Sequence, residues 1–164
     1  MTFAPRTWVV GEVVSAALLN QEIRDQFSSI LAAWTSYTPT WTAATTNPVL
    51  NNGTIIGRYM KVGLTCHVAL KLTMGSTTTY GSGVYRLGVP FTSAASMDYI
   101  GTARLVAANS WIGHLILGAS VSDMNAAFPT STSNASAVTW NSVAPETMAN
   151  GHIIRAGITY QTAT

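Results

Sequence analysis

Charged side chains are scarce in this sequence. They make up 9% of the 164 residues, against roughly 25% in a typical soluble domain. Hydroxyl side chains take their place, with 23 Thr and 15 Ser, and threonine also favours strands through its branched Cβ. We therefore expect one β domain with a small appendage and a surface covered by hydroxyl groups, a composition that suits an extracellular or particle-borne protein.

Other absences narrow the class of protein further. The single cysteine excludes an intramolecular disulfide, and no stretch approaches the roughly 18 uninterrupted apolar residues of a membrane span. We therefore expect no membrane insertion. The eight Lys and Arg residues are scattered without a run of neighbours, so a nucleic-acid partner is not expected either. The opening MTFAPRTWVVGEVV is a poor signal peptide. We expect a cytoplasmic product, or one that leaves the cell by lysis or by assembly into a larger particle.

Residues that could carry catalysis or bind a metal are few and dispersed. Only three acidic residues, Asp98, Asp123 and Glu146, lie outside the N-terminal part of the chain, and they are far apart in the sequence. A glycosidase needs two carboxylates that face each other across a cleft. The three histidines show no metal-ligand spacing, although copies of one histidine around a symmetry axis could still share a metal. No GxSxG elbow or Gly-rich phosphate loop occurs. We expect no catalytic residue, no metal site and no cofactor, and hence no enzyme.

The stretch from Leu64 to Met74 alternates apolar and other residues without a fault, which predicts a half-buried strand. Cys66 falls on the apolar side and His67 on the other, so the two cannot form a Cys-His dyad. A shorter run at 55–62 precedes this strand, and a third run at 84–89 follows the polar segment 75–83. Together these runs predict a β-meander with one long loop.

The N-terminal part of the chain predicts a helix. Ser15 suits an N-cap, Val14 and Leu19 fit a hydrophobic staple, and residues 16–34 contain neither Gly nor Pro. One apolar stripe runs along this helix of about 28 Å, formed by Leu19, Ile23, Phe27, Ile30 and Trp34. The stripe must be buried on the chain's own β domain or on other copies, and we expect self-association. Residues 1–34 are thus predicted to be an attachment and oligomerisation segment.

From residue 35 onward the composition favours strands and turns. Short edge strands are expected at 35–53, further strands at 97–107, 111–121, 137–140 and 152–160, and a long loop at 122–136. Trp111 and Trp140 are expected in the core, whereas Tyr80 is a candidate contact residue at a loop tip. Seven or eight strands predict an antiparallel β-sandwich, jelly-roll-like, over residues 35–164.

Several segments resemble the small tail-fibre or minor tail proteins of phages that infect actinobacteria. They are PRTWVVGEVVSAALLNQEIRDQF at 5–27, YTPTWTAATTNPVLNNGTIIGRYMKVG at 37–63, TMGSTTTYGSG at 73–83 and HIIRAGITYQ at 152–161. The resemblance implies a non-enzymatic virion component, often a homotrimer, whose N-terminal arm binds other virion proteins and whose β domain faces outward toward host-surface glycans. Loops 75–83 and 122–136 are then the expected contact surfaces, with Thr78, Thr79 and Tyr80 as candidate receptor contacts. The same pattern also suits a capsid decoration or capsid-fibre protein, and less well a glycan depolymerase.

Overall fold

The computed structural model describes residues 6–31, 33–131 and 134–163, with the side chains of Gln26, Ser29, Ser131, Asn134 and Ala135 left aside. An N-terminal helical segment precedes a domain that is built almost entirely of strands. The strands are β1 Thr35–Tyr37, β2 Trp41–Ala43, β3 Thr54–Val62, β4 Thr65–Thr73, β5 Tyr85–Gly88, β6 Tyr99–Val106, β7 Ser110–Leu117, β8 Asp123–Ser131, β9 Asn134–Thr139 and β10 Ile153–Gln161. The predicted fold, mainly β with an N-terminal helix and an antiparallel sandwich-like arrangement, is confirmed.

One curled antiparallel sheet holds the strands together. Its order is β1-β3-β4-β10-β6-β7-β8-β5-β2, and β9 pairs with β8. The two end strands, β1 and β2, follow each other in the chain with only residues 38–40 between them. The Tyr37 hydroxyl donates to the Gly88 carbonyl at 3.3 Å, and the Gly88 amide donates to the Thr40 carbonyl at 2.9 Å. The sheet therefore curls far enough to bring its two edges together, and its concave side encloses the core.

The centre of the sheet is the pair β4 and β10, joined over nine residue pairs from Thr65–Gln161 to Thr73–Ile153. Their inward side chains are at most 6% exposed: Cys66, Val68, Leu70, Leu72, Ile154, Ala156, Ile158 and Tyr160. The alternation predicted for β4 is thus confirmed, and the strand expected at 152–160 alternates in the same way. Leu64, assigned to the same inward row, is 46% exposed because it lies before the strand begins.

The predicted β-meander is wrong in its third strand. β3 and β4 form a hairpin, but β5 pairs with β8 and β2 on the far side of the sheet. Segment 75–83 crosses between these positions and pairs with the segment before β3, through the bridges Thr46–Ser82 and Val49–Thr79. The position of β5 is therefore set by the pairing of segment 75–83 with the residues before β3, and not by a hairpin with β4.

The long loop expected at 122–136 is also wrong, since most of that segment is strand. β8 alternates as a half-buried strand does, with Met124, Ala126 and Phe128 buried. It pairs with the following strand, β9, in an antiparallel arrangement. Its Ser, Thr, Asn and Pro residues hid this alternation, and Pro129 is accommodated where the register shifts between Pro129 and Ser131. A proline fits a strand at such an irregularity because it cannot donate a ladder hydrogen bond.

The helical segment is shorter and less regular than predicted. Helix α1 spans Ala16–Leu19, a π-helical turn spans Asn20–Arg24, and helix α2 spans Asp25–Ile30. Ser15 is the N-cap as expected, because its Oγ accepts from the Leu18 amide at 3.3 Å. The predicted end at Trp34 is wrong, since the helix stops at Ile30 and Trp34 directly precedes β1. The first strand begins at the proposed boundary, while the division into two domains stays a prediction.

Candidate functional site

The predicted apolar stripe of the helical segment faces solvent in the single chain. Leu19, Ile23, Phe27 and Ile30 are 43%, 49%, 62% and 38% exposed. The arm ahead of the helix is exposed as well, and in it Arg6 forms an ion pair with Glu12 and lies over the Trp8 ring at 5.4 Å. Exposed apolar side chains in one row make the stripe a candidate surface for contact with another protein.

The fifth stripe residue, Trp34, lies elsewhere. It lines a groove of about 760 Å³ on the convex face of the sheet, across β3, β4, β10, β6 and β7. We call this the outer groove. Small residues lie along its floor, among them Ala69, Thr102 and Gly157. Trp34 therefore belongs to the surface of the β domain rather than to the helical stripe.

Cationic side chains meet in the outer groove. Lys71 on β4 is paired with Arg155 on β10, and Arg155 is paired with Arg104 on β6. The outer strands continue this line with an exposed isoleucine at each end, Ile56 beside Lys71 and Ile112 beside Arg104. We call Lys71, Arg155 and Arg104 the cation row. Arg58 lies in the same groove, so four of the chain's eight Lys and Arg residues share one surface.

The cation row was missed from the sequence, where the basic residues looked scattered. Each of its members occupies an outward position of a different strand, and these strands are far apart in the chain. A weak signal was present, because Lys71 and Arg155 alternate with buried residues on both sides. Strand order and register were needed to bring the three together.

Loop 75–83 is less available for contacts than predicted. Thr78 is buried, and its Oγ1 donates to the Leu50 carbonyl at 2.7 Å and accepts from the Gly75 amide at 2.9 Å. Thr79 is exposed and pairs through its backbone with Val49. Tyr80 is half-buried against the core. Burial removes Thr78 from the candidate receptor contacts, and Thr79 and Tyr80 remain. In the second loop, residues 132 and 133 lie outside the described residues.

Cys66 and His67 occupy opposite faces of β4, as expected from the alternation. Burial raises the pKa of the Cys66 thiol, which disfavours its thiolate form. The His67 ring lies on the outer face, where its Nδ1 is 2.9 Å from the Thr159 hydroxyl oxygen. Burial likewise raises the pKa of Tyr85 and Tyr160, whose hydroxyls donate to the Tyr80 and Phe91 carbonyls. Cys66, Tyr85 and Tyr160 are part of the hydrophobic core.

Each carboxylate of the β domain has a local partner. Asp98 accepts from the Ala119 amide at 3.1 Å, and Asp123 lies 3.7 Å from Arg86. Glu146 accepts from the Trp111 indole at 2.9 Å and from the Ala108 and Asn109 amides. The hydrogen bond from Trp111, followed by the backbone bonds, lowers the pKa of Glu146. The described residues contain no cluster of three or more His, Cys, Asp or Glu that could hold a metal ion.

Replacing Glu146 with glutamine is expected to reduce stability at neutral pH by about 1 kcal/mol, a modest value for bonds to a charged group because the carboxylate is partly exposed. A lowered native pKa means that this contribution is present above the unfolded value and is lost as pH falls through the native value. Urea unfolding at pH 7 and pH 3 should therefore show a difference between the two proteins that shrinks in acid. An equal difference at both pH values would contradict this prediction.

Comparison with protein-family models, curated proteins and solved structures finds no match to this chain. No described helix is both long enough and apolar enough to span a bilayer. The surfaces above are therefore interpreted from their own chemistry. Two stand out, the exposed stripe of the helical segment and the cationic outer groove.

Proposed function

We propose that this protein is a structural and adhesive component of a phage particle, a tail fibre or minor tail protein. The observation that carries the proposal is the exposed stripe Leu19, Ile23, Phe27 and Ile30 on a helical segment that precedes all the strands. An apolar stripe left open in one chain is stabilised when copies assemble on it. The proposed assembly is a homotrimer, and the arm at residues 1–14 attaches it to other virion proteins.

The β domain then presents its loops to the host surface, with glycans as the proposed receptor. Thr79 is exposed and Tyr80 is half-buried within segment 75–83, and their hydroxyl group and aromatic face are suited to contact with a sugar ring. Three linked copies raise the effective concentration of each further contact, so weak individual binding gives durable attachment. The proposed role needs no catalysis and no cofactor.

The test examines the strand region apart from the N-terminal segment. Residues 35–164 are fused to an unrelated trimeric protein, and the fusion is added to a panel of actinobacterial cells. We expect the fusion to bind cells, and the double variant Thr79→Ala, Tyr80→Ala to bind at least tenfold more weakly. The matched control is Asn150→Ala, which changes an exposed turn residue elsewhere in the same domain.

Three outcomes would count against the proposal. A fusion that binds no cells removes the adhesive function, and particle binding by the arm alone would then favour a capsid decoration protein. Cell binding that is equal for the loop variant and the control would exclude segment 75–83 as the contact surface. Release of oligosaccharides from cell-wall polysaccharide would contradict the non-enzymatic assignment.

A further inference from the structure

The cation row is unusual because no described acidic side chain neutralises it. Like charges directly opposite one another destabilise a sheet, yet Lys71, Arg155 and Arg104 are adjacent across three strands. Among the residues described, ion pairs occur at Arg6–Glu12, Arg24–Asp25 and Arg86–Asp123, and none of them involves the outer groove. The described lining of the groove contains no Asp or Glu, and Arg104 donates to the hydroxyl of Ser110 at 3.0 Å.

The same surface also exposes large apolar side chains. Ile56 and Ile112, which flank the row, are 57% and 75% exposed, and Ile100 and Ile116 on neighbouring positions are 74% and 41% exposed. An anionic sugar or a nucleic acid would neutralise the cations but leave these isoleucines in water. A protein segment that carries both apolar and acidic side chains would satisfy both.

The helical segment of this chain has that chemistry. Arg6 pairs with Glu12 and Arg24 pairs with Asp25, which leaves Glu22 in no ion pair among the described residues. Glu22 lies beside the exposed stripe, between Leu19 and Ile30. The helix covers about 16 Å from Leu19 to Ile30, and Ile56 and Ile112 are separated by four strand spacings, about 19 Å. In the helical segment Glu22 lies between apolar residues, and in the outer groove the cation row lies between two isoleucines.

We propose that the helical segment of one copy docks in the outer groove of a second copy, with its stripe on the isoleucines and Glu22 facing the cation row. This inference rests on the self-association in the proposed function and names the surface that receives the stripe. The chain's own Trp34 lines its own groove while its own stripe stays exposed, which favours a second copy as the occupant. Each copy donates one segment and accepts another, and such a heterologous contact gives a ring, as a trimer requires, when the rotation between copies is one third of a turn.

Charge reversal in the full-length protein tests this contact. Glu22→Arg and Arg155→Glu are each expected to weaken association at least tenfold, because each places like charges together. The double variant restores the pair in reversed polarity, and we expect it to recover most of the affinity. The matched control combines Glu22→Arg with Arg86→Glu, which lies outside the groove and should recover nothing. Sedimentation over a range of protein concentrations measures each dissociation constant.

A crosslinking experiment identifies the partner surface directly. Ile30→Cys is made as one protein and is mixed separately with Ile56→Cys and with Ile112→Cys, and each mixture is mildly oxidised, with the native Cys66 buried. We expect a disulfide between Ile30→Cys and one of the two groove variants, and none within any variant alone. Crosslinking of Ile30→Cys to itself would show helix-to-helix packing, which overturns this inference but leaves the proposed assembly intact.

Two further outcomes would overturn the inference. A wild-type protein that stays a single chain at all concentrations would remove both the assembly and this contact. A single chain that binds heparin, and binds it less after Arg155→Glu, would identify a polyanion as the occupant of the groove.

Discussion

Replacing Ile23 and Ile30 together with lysine is expected to reduce the proposed assembly to the 17.3 kDa mass of one chain. Both side chains belong to the exposed stripe, and a partner copy would enclose them. An unpaired charge buried at an interface costs about 3 kcal/mol or more, which weakens association at least a hundredfold at each position. Multi-angle light scattering measures the mass directly.

The matched control places the same two charges on the other side of the helix. Gln21→Lys with Ser28→Lys changes two exposed positions outside the stripe, so its mass should equal that of the wild type. Circular dichroism should be alike for all three proteins because no changed residue is buried in the single chain. An unchanged mass for the stripe variant would exclude the stripe as the self-association surface.

Aspartate at the same two stripe positions gives additional information. If the stripe packs on other helices, aspartate and lysine should disrupt the assembly equally, since either charge would be unpaired. If the stripe packs in the outer groove, aspartate gains the cation row as a partner and should disrupt less than lysine. The ratio of the two dissociation constants therefore distinguishes the two modes of packing.

Replacing Trp140 with alanine is expected to destabilise the β domain by about 3–5 kcal/mol. The side chain is fully buried. It stacks on Trp41 with ring centroids 6.3 Å apart and meets the edge of Tyr85 at 4.7 Å. Its indole also donates to the Met148 sulfur at 3.4 Å. The three rings link β2, β5 and the residue after β9, so their loss opens the end of the sheet where its edges meet.

Such a loss is a large part of the roughly 5–15 kcal/mol that stabilises a typical domain. We expect the midpoint of thermal unfolding to fall by about 10 °C or more, as measured by calorimetry. Trp8→Ala is the matched control, because it removes a ring that is 43% exposed in the arm and should change stability by less than about 0.5 kcal/mol. Equal midpoints for the two variants would contradict the central role of Trp140.

Much of the fold could be predicted because it follows from local patterns of apolar and polar side chains. The alternation around Cys66 in β4, and around Ile154 and Ile158 in β10, placed two central strands and their buried faces. Ser15 was identified as the N-cap from its side chain and position alone. Trp111 and Trp140 are in the core as predicted, since large aromatic side chains are stabilised by burial.

The errors in the β domain share one physical cause, which is that contacts between distant segments outweighed local composition. Thr78 lies in a polar segment, yet pairing with the residues before β3 buries its side chain. β8 contains Pro129 and several hydroxyl residues, but Met124, Ala126 and Phe128 face the core and hold it as a strand. Amino-acid composition alone predicts loops for these segments because it contains no information on what they pack against.

The sequence by itself determined that the chain is mainly β, that a helix with an apolar stripe precedes the strands, and that Cys66 and His67 face opposite ways. These are consequences of side-chain periodicity, which is a local property of the backbone. Only the tertiary structure decided that β10 lies between β4 and β6, and this placement brings Lys71, Arg155 and Arg104 side by side. The cation row exists because strand order is set by burial across the whole chain, and no local pattern encodes it.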